Sequence, residues 1–255
     1  MTEAVNSDTG DNSRRMNLYV ISCRVFLRPI MACSAKSKHT VDIDFMGQSL
    51  HENPDRLCRV LQDKINKPNE RFYDAVVLGY GLCGNGITGL RAGEIPLVVP
   101  RVHDCVSVFL GGHDRYMEEF NREPGTFWYI PEYLEQQTSG ADYKWKFGRP
   151  LEYPSPEDPG NSPLNYSEDN KRYLHETMGS WKQHYKRAVL LETGAHIKEE
   201  LLDEVEAESQ RNNWDFVKMP GSMRLFEKLI NGPWDEEFLV LRPGEEVPAK
   251  LIQES

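Results

Sequence analysis

A chain of 255 residues, 39% of them hydrophobic, with a net charge of −10, is long enough for one large domain or two small lobes and can bury a sizeable core. The acidic balance disfavours nucleic acid as a partner, because phosphate recognition needs a basic face. No stretch approaches the roughly 18–20 apolar residues that span a bilayer. The polar start MTEAVNSDTGDNSRRMN has no apolar signal core, so no membrane partner and a cytoplasmic location are expected. In such a reducing compartment five cysteines, an odd number, point to metal binding, catalysis or burial rather than to a disulfide framework.

Residues 1–16 read as a disordered tail. Leu18 to Cys23 is an apolar, β-branched run suited to a buried strand, and Val41–Phe45 alternates as a half-exposed one. Asn53-Pro54-Asp55 opens a helix with proline in its first turn, and Leu57, Cys58, Leu61 and Ile65 recur at helical spacing along it. Tyr73–Leu78 and Ile95–Val99 are further buried strands, followed by helical patterns over Val106–Leu110 and Tyr116–Phe120. Residues 121–170 form an insertion rich in proline and aromatic residues, with the character of a lid or cleft wall. Beyond it come a helix over Asp169–His184, a strand Arg187–Leu191, a helix Ile197–Arg211, a strand Trp214–Met219, a helix Met223–Ile230 and a last strand Glu237–Leu241.

Strands alternating with helices predict an α/β fold with a Rossmann-like parallel sheet and crossover helices, built from two βαβαβ-type halves at residues 17–120 and 171–248. One continuous sheet and two lobes both fit. In open parallel sheets ligands bind outside the carboxyl ends of the strands. Three strands of the first half end in cysteine: Cys23, then Cys83 after Gly79-Tyr80-Gly81-Leu82, then Cys105 after Pro100-Arg101-Val102-His103-Asp104. If these strands are neighbours, Cys23, Cys83, His103 and Cys105 converge, with His51 ahead of a helix as a further ligand. Thiolate and imidazole donors suit Zn²⁺ first, with iron–sulfur centres as an alternative, and simple burial of the cysteines is the competing reading. Cys58 is expected in the core, and Cys33, in a small polar stretch, as a surface or loop thiol.

Gly79-Tyr80-Gly81-Leu82-Cys83-Gly84 is a literal G-x-G-x-x-G, and Asp104 lies 20 residues beyond it. A dinucleotide fingerprint must open a helix, but Gly86 and Gly89 follow at once and glycine costs about 1 kcal/mol in a helix interior. A flexible loop in which Gly79, Gly81 and Gly84 let the backbone approach a ligand beside Cys83 is the favoured reading. Arg101 is a candidate anion clamp or a partner for one of the many acids, and Tyr80 a candidate hydrogen-bond donor or a packed aromatic. Asp104 is expected to cap the next helix, and Gly111-Gly112-His113 to end one.

At these same residues the chain resembles a family catalogued as domain of unknown function 1638. The resemblance rests on Ile21-Ser22-Cys23, Leu50-His51 with Pro54, Leu78 to Gly84, and Pro100 to Cys105 with Phe109-Leu110-Gly111, within residues 17–240. Arg24 stands where the family pattern leads one to expect an acidic residue. Members occur in methanogens and other, often anaerobic, microbes, with genes near corrinoid-dependent methyltransferases. The resemblance therefore implies a one-carbon or corrinoid setting, with a corrinoid protein or methyltransferase as partner and a corrinoid as a further cofactor candidate. Three functions follow as expectations: a metal-dependent methyl-transfer enzyme, a non-catalytic carrier of metal, corrinoid or cluster, and a nucleotide-binding enzyme using the Gly79–Gly84 loop.

Overall fold

The computed structural model describes residues 14–47, 50, 51, 53–83, 85–138, 184–195, 197 and 199–252. Gly84, the insertion beyond residue 138 and the helix expected over Asp169–His184, apart from His184, lie outside them. The chain divides into two units: Met1–Arg115 with Ser222–Ser255, and Tyr116–Gly221.

The first unit is built on a five-stranded sheet. Its strands are β1 (Asn17–Cys23), β2 (Thr40–Met46), β3 (Ala75–Gly79), β4 (Leu97–Pro100) and β8 (Phe238–Leu241), in the order β2-β1-β3-β4-β8. The first four are parallel, and β8 pairs antiparallel with β4. Every residue of β3 and β4 is buried, as expected of central strands covered on both faces. β2 is the polar edge, and Tyr19 and Tyr73 donate to its Asp44 and Asp42.

Helix α1 (Leu27–Ser34) joins β1 to β2 and α2 (Pro54–Ile65) joins β2 to β3. Asn53 caps α2 by accepting from the Arg56 N–H at 2.9 Å, and Pro54 sits at its start, where no amide partner is needed. Sequence periodicity missed α1, because Arg28 and Pro29 interrupt the apolar rhythm. Proline is tolerated there because it lies in the first turn. The expectation for Cys33 is corrected accordingly: it is 5% exposed on the inner face of α1 with Ile30, and burial pushes its thiol up to about 11. Phe26, Phe109 of α3 (Cys105–Leu110) and Phe226 of α7 (Arg224–Asn231) meet pairwise edge to face, at centroid distances of 5.1–5.4 Å. Each such pair contributes about 0.5–1.5 kcal/mol beyond burial. Leu225, Phe226, Leu229 and Ile230 give α7 an apolar stripe. That stripe seats α7 against α1, α3 and β3, which explains why the last strand joins the first sheet instead of ending the second half.

The second unit carries three parallel strands: β5 (Thr126–Tyr129), β6 (Arg187–Glu192) and β7 (Asp215–Pro220), in that order. α4 (His113–Arg122) crosses the boundary between the units, and α5 (Pro131–Thr138) and α6 (Glu199–Arg211) complete the second. Strand β5 lies in a segment that reads as loop in the sequence, because four residues hold too short a pattern to separate from aromatic-rich coil. Its core gathers Tyr129, Leu134, Ala188, Leu190, Val205 and Trp214. The fold class is as expected, mixed α/β with mostly parallel sheet and flanking helices. Among the described residues no helix is long and apolar enough to cross a membrane.

Candidate functional site

Chain order and spatial order reverse between β1 and β3: from β1 the chain moves to one neighbour, β2, and then to the other, β3. A crevice opens at the carboxyl ends of two strands where the winding reverses in this way. Cys23 is the last residue of β1, and Tyr80 to Cys83 follow β3, so both flank that point. β4, whose end leads to His103 and Cys105, is the next strand along.

The loop after β3 is held by close backbone packing. A Cβ on Gly79 would stand 2.4 Å from Ser22 Oγ, and one on Gly81 would stand 2.7 Å from Asp104 Cα. The Leu82 and Cys83 N–H groups donate to the Val102 and His103 carbonyls, both at 3.0 Å. The two glycines thus make room for the chain's own neighbours. Turns rather than a helix occupy residues 85–89. Cys83 itself has φ +46°, a left-handed conformation unusual for a side-chain-bearing residue and worth about 1–3 kcal/mol of strain.

Cys23 Sγ lies 3.3 Å from His51 Nε2. Cys23 is 2% exposed, and its thiol is pushed up to about 12 by burial, against a smaller opposing effect from the Val25 N–H. Cys83 is likewise pushed up to about 12, by burial first and then by nearby Cys23 and Asp104. His51 is held below the usual imidazole value by burial, so it is neutral at neutral pH. Its ring stacks on Tyr80 at 5.6 Å. The Tyr80 hydroxyl is fully buried and has no hydrogen-bond partner among the described residues, a deficit of about 1–3 kcal/mol. Burial, then Cys23 and Cys83, raise its pKa.

Arg101 donates to the Phe238 carbonyl at 3.3 Å and the Leu251 carbonyl at 2.9 Å, tying the C-terminal segment to the sheet. Asp104 caps α3, accepting from the Ser107 N–H at 3.0 Å. Cys105 is the first residue of that helix, and the exposed His103 has its ring 5.1 Å from His113. Cys58 is half-buried, its thiol 3.8 Å from the Thr88 carbonyl, beside a cavity of about 600 Å³ that Arg59, Gln62 and Arg91 also line. Among the described residues no three His, Cys, Asp or Glu side chains stand together as a ready-made metal cage. The contact that exists, Cys23 to His51, comes close to the roughly 3.5 Å separating a thiolate and an imidazole on one tetrahedral zinc.

Sequence reasoning missed His113. Its Nδ1 is buried without a partner among the described residues. Gly111-Gly112 was the available signal, since two glycines with φ +94° and +144° turn α3 back into α4.

No curated protein and no solved structure matches the chain. A family model matches residues 45–230, which take in His51, the Gly79–Gly84 loop and the Pro100–Cys105 segment and begin after Cys23. On that match, the chain belongs to the family described as protein of unknown function (DUF1638).

Proposed function

We propose that the chain binds a thiophilic divalent metal ion, zinc foremost, at the carboxyl edge of β1 and β3, and serves methyl-transfer chemistry there. The observation that carries this is the contact of buried Cys23 with half-buried His51 at 3.3 Å. Cys83 stands near enough to Cys23 for its own thiol to be raised by it, which makes it the candidate third donor. Two neighbouring thiols held protonated by burial are a poor nucleophilic pair but a good latent metal site, because a cation supplies the charge that makes each thiolate favourable. Neutral His51 is already in the form a metal takes. Tyr80 supplies a buried hydroxyl free to donate to a bound molecule. A bound zinc would act as a Lewis acid or activate a thiol. The one-carbon setting, with a cytoplasmic corrinoid protein or methyltransferase as partner, rests on the family's gene neighbourhood.

A carrier without chemistry of its own is the second reading. It is favoured by the donor set, of which Cys23 and His51 are the pair in contact among the described residues. Metal analysis and optical spectroscopy of the anaerobically purified chain test both. The expected result is one ion per chain, with affinity lowered about 100-fold or more by Cys23→Ser or His51→Ala, a larger loss than a supporting residue causes. Metal content unaffected by either substitution would sink the proposal, and transfer to a partner without turnover would select the carrier.

A further inference from the structure

We propose that His103 and His113 form a second binding site, for a divalent first-row transition-metal ion such as Zn²⁺ or Ni²⁺, whose ligands are imidazoles alone. The pair is set by the backbone. His103 leaves β4 with its carbonyl accepting from the Cys83 N–H at 3.0 Å. Six residues of α3 follow, and then Gly111 and Gly112 reverse the chain so that His113, the first residue of α4, returns to His103. That reversal is fastened at several points: Gly112 N–H donates to the Ser107 carbonyl at 2.9 Å, Ser222 N–H to the Phe109 carbonyl at 2.7 Å, and Arg224 Nε to the Gly111 carbonyl at 3.1 Å. A Cβ at Gly111 would come within 2.8 Å of Ser222 Cβ, and Gly112 has φ +144°, so the turn disfavours any residue but glycine.

The ring centroids are 5.1 Å apart at an interplanar angle of 44°. Two imidazoles bound to one tetrahedral ion, with metal–nitrogen distances of about 2.0–2.1 Å, place their centroids about 5.2 Å apart. His103 is exposed, so an ion can reach the pair from solvent, and His113 is half-buried with the unpartnered Nδ1 noted above. Imidazole is a good ligand for zinc, nickel and copper. With two protein ligands, the other coordination positions go to water or to the oxygen or nitrogen atoms of a small chelating molecule. This site goes beyond the thiol site and stands without it, since it uses neither Cys23, His51 nor Cys83.

The test is zinc titration by calorimetry of the full chain carrying Cys23→Ser and Cys83→Ser, which removes two thiolates. One ion is expected to bind, with affinity lowered at least tenfold by a further His113→Ala or His103→Ala. No zinc bound, or affinity unchanged by both histidine substitutions, overturns the proposal. Because replacing buried Cys23 can unsettle the fold, the unsubstituted chain is examined as well by titrating it with Ni²⁺ and following imidazole resonances by NMR. Early selective broadening of His103 and His113 is expected, and two sharp resonances at one equivalent would overturn the site. A cobalt–thiolate charge-transfer band that is present in the unsubstituted chain and lost on Cys23→Ser with Cys83→Ser reports on the thiol pocket, so failure of either site is read separately from failure of the other.

Discussion

Among the described residues the two units use the carboxyl edges of their parallel strands differently. At the edge of β1 and β3 stand the buried Cys23, the half-buried Cys83, the His51 imidazole and a Tyr80 hydroxyl with no hydrogen-bond partner among the described residues. At the edge of β6, Glu132 is 4% exposed and accepts from Thr193 Oγ1 at 3.1 Å. The difference follows from winding. The order β2-β1-β3 reverses direction at β1, the place where a parallel sheet favours a crevice, while β5-β6-β7 runs one way. The second unit invests its polar residues in structure: Arg187 pairs with Glu119 at 2.7 Å, both nearly buried, with Trp128 beneath the guanidinium. A parallel sheet alone does not favour a crevice; the switch in strand order does.

The comparison can be broken from either side. The largest expected effect lies in the second unit, where Arg187→Ala leaves buried Glu119 with the exposed Arg122 as its remaining ion-pair partner among the described residues, and urea unfolding should show a loss of about 3–5 kcal/mol. Metal binding at Cys23 should be unchanged, and a parallel loss there would end the claim that the two edges differ in role. Next is Gly81→Ala, whose Cβ collides with Asp104 backbone; a loss of about 1–3 kcal/mol is expected, together with weaker metal binding as the Cys83 loop moves. Tyr80→Phe should raise the stability of the metal-free chain by about 1 kcal/mol by deleting an unpaired hydroxyl. A measured destabilisation would mean that the hydroxyl has a partner.

The smallest effect at neutral pH is a slope. Cys23 and Cys83 hold their protons up to about 12, against about 9 for an ordinary thiol, so their contribution is complete below pH 9 and is lost as pH rises toward 12. Cys83→Ser should flatten that alkaline decline in denaturation experiments on metal-free protein, and an unchanged slope would show that other groups cause it.

By itself the sequence determined the elements with long or repeated patterns: the buried runs of β1, β3 and β4, the capped α2, the amphipathic α7, and the fact that three cysteine-bearing segments follow three strands. Those features are local, set by side-chain period, capping and β-branching within a few residues. It also made the Gly79–Gly84 fingerprint suspect, because Gly86 and Gly89 weaken any helix after it. Only the tertiary structure decided which residues meet. Cys23 touches His51 across 28 positions, His103 faces His113 through a glycine reversal, and Arg101 reaches Leu251 across 150. Strand order sets such contacts, and many orders satisfy one alternation of strands and helices. Cys33 passed as a loop thiol for the same reason: its helix is too short to announce itself and is recognised only by the Phe26, Phe109 and Phe226 cluster packed near its start. Whether a cysteine is core or ligand depends on what the fold places opposite it, and that is a property of packing rather than of composition.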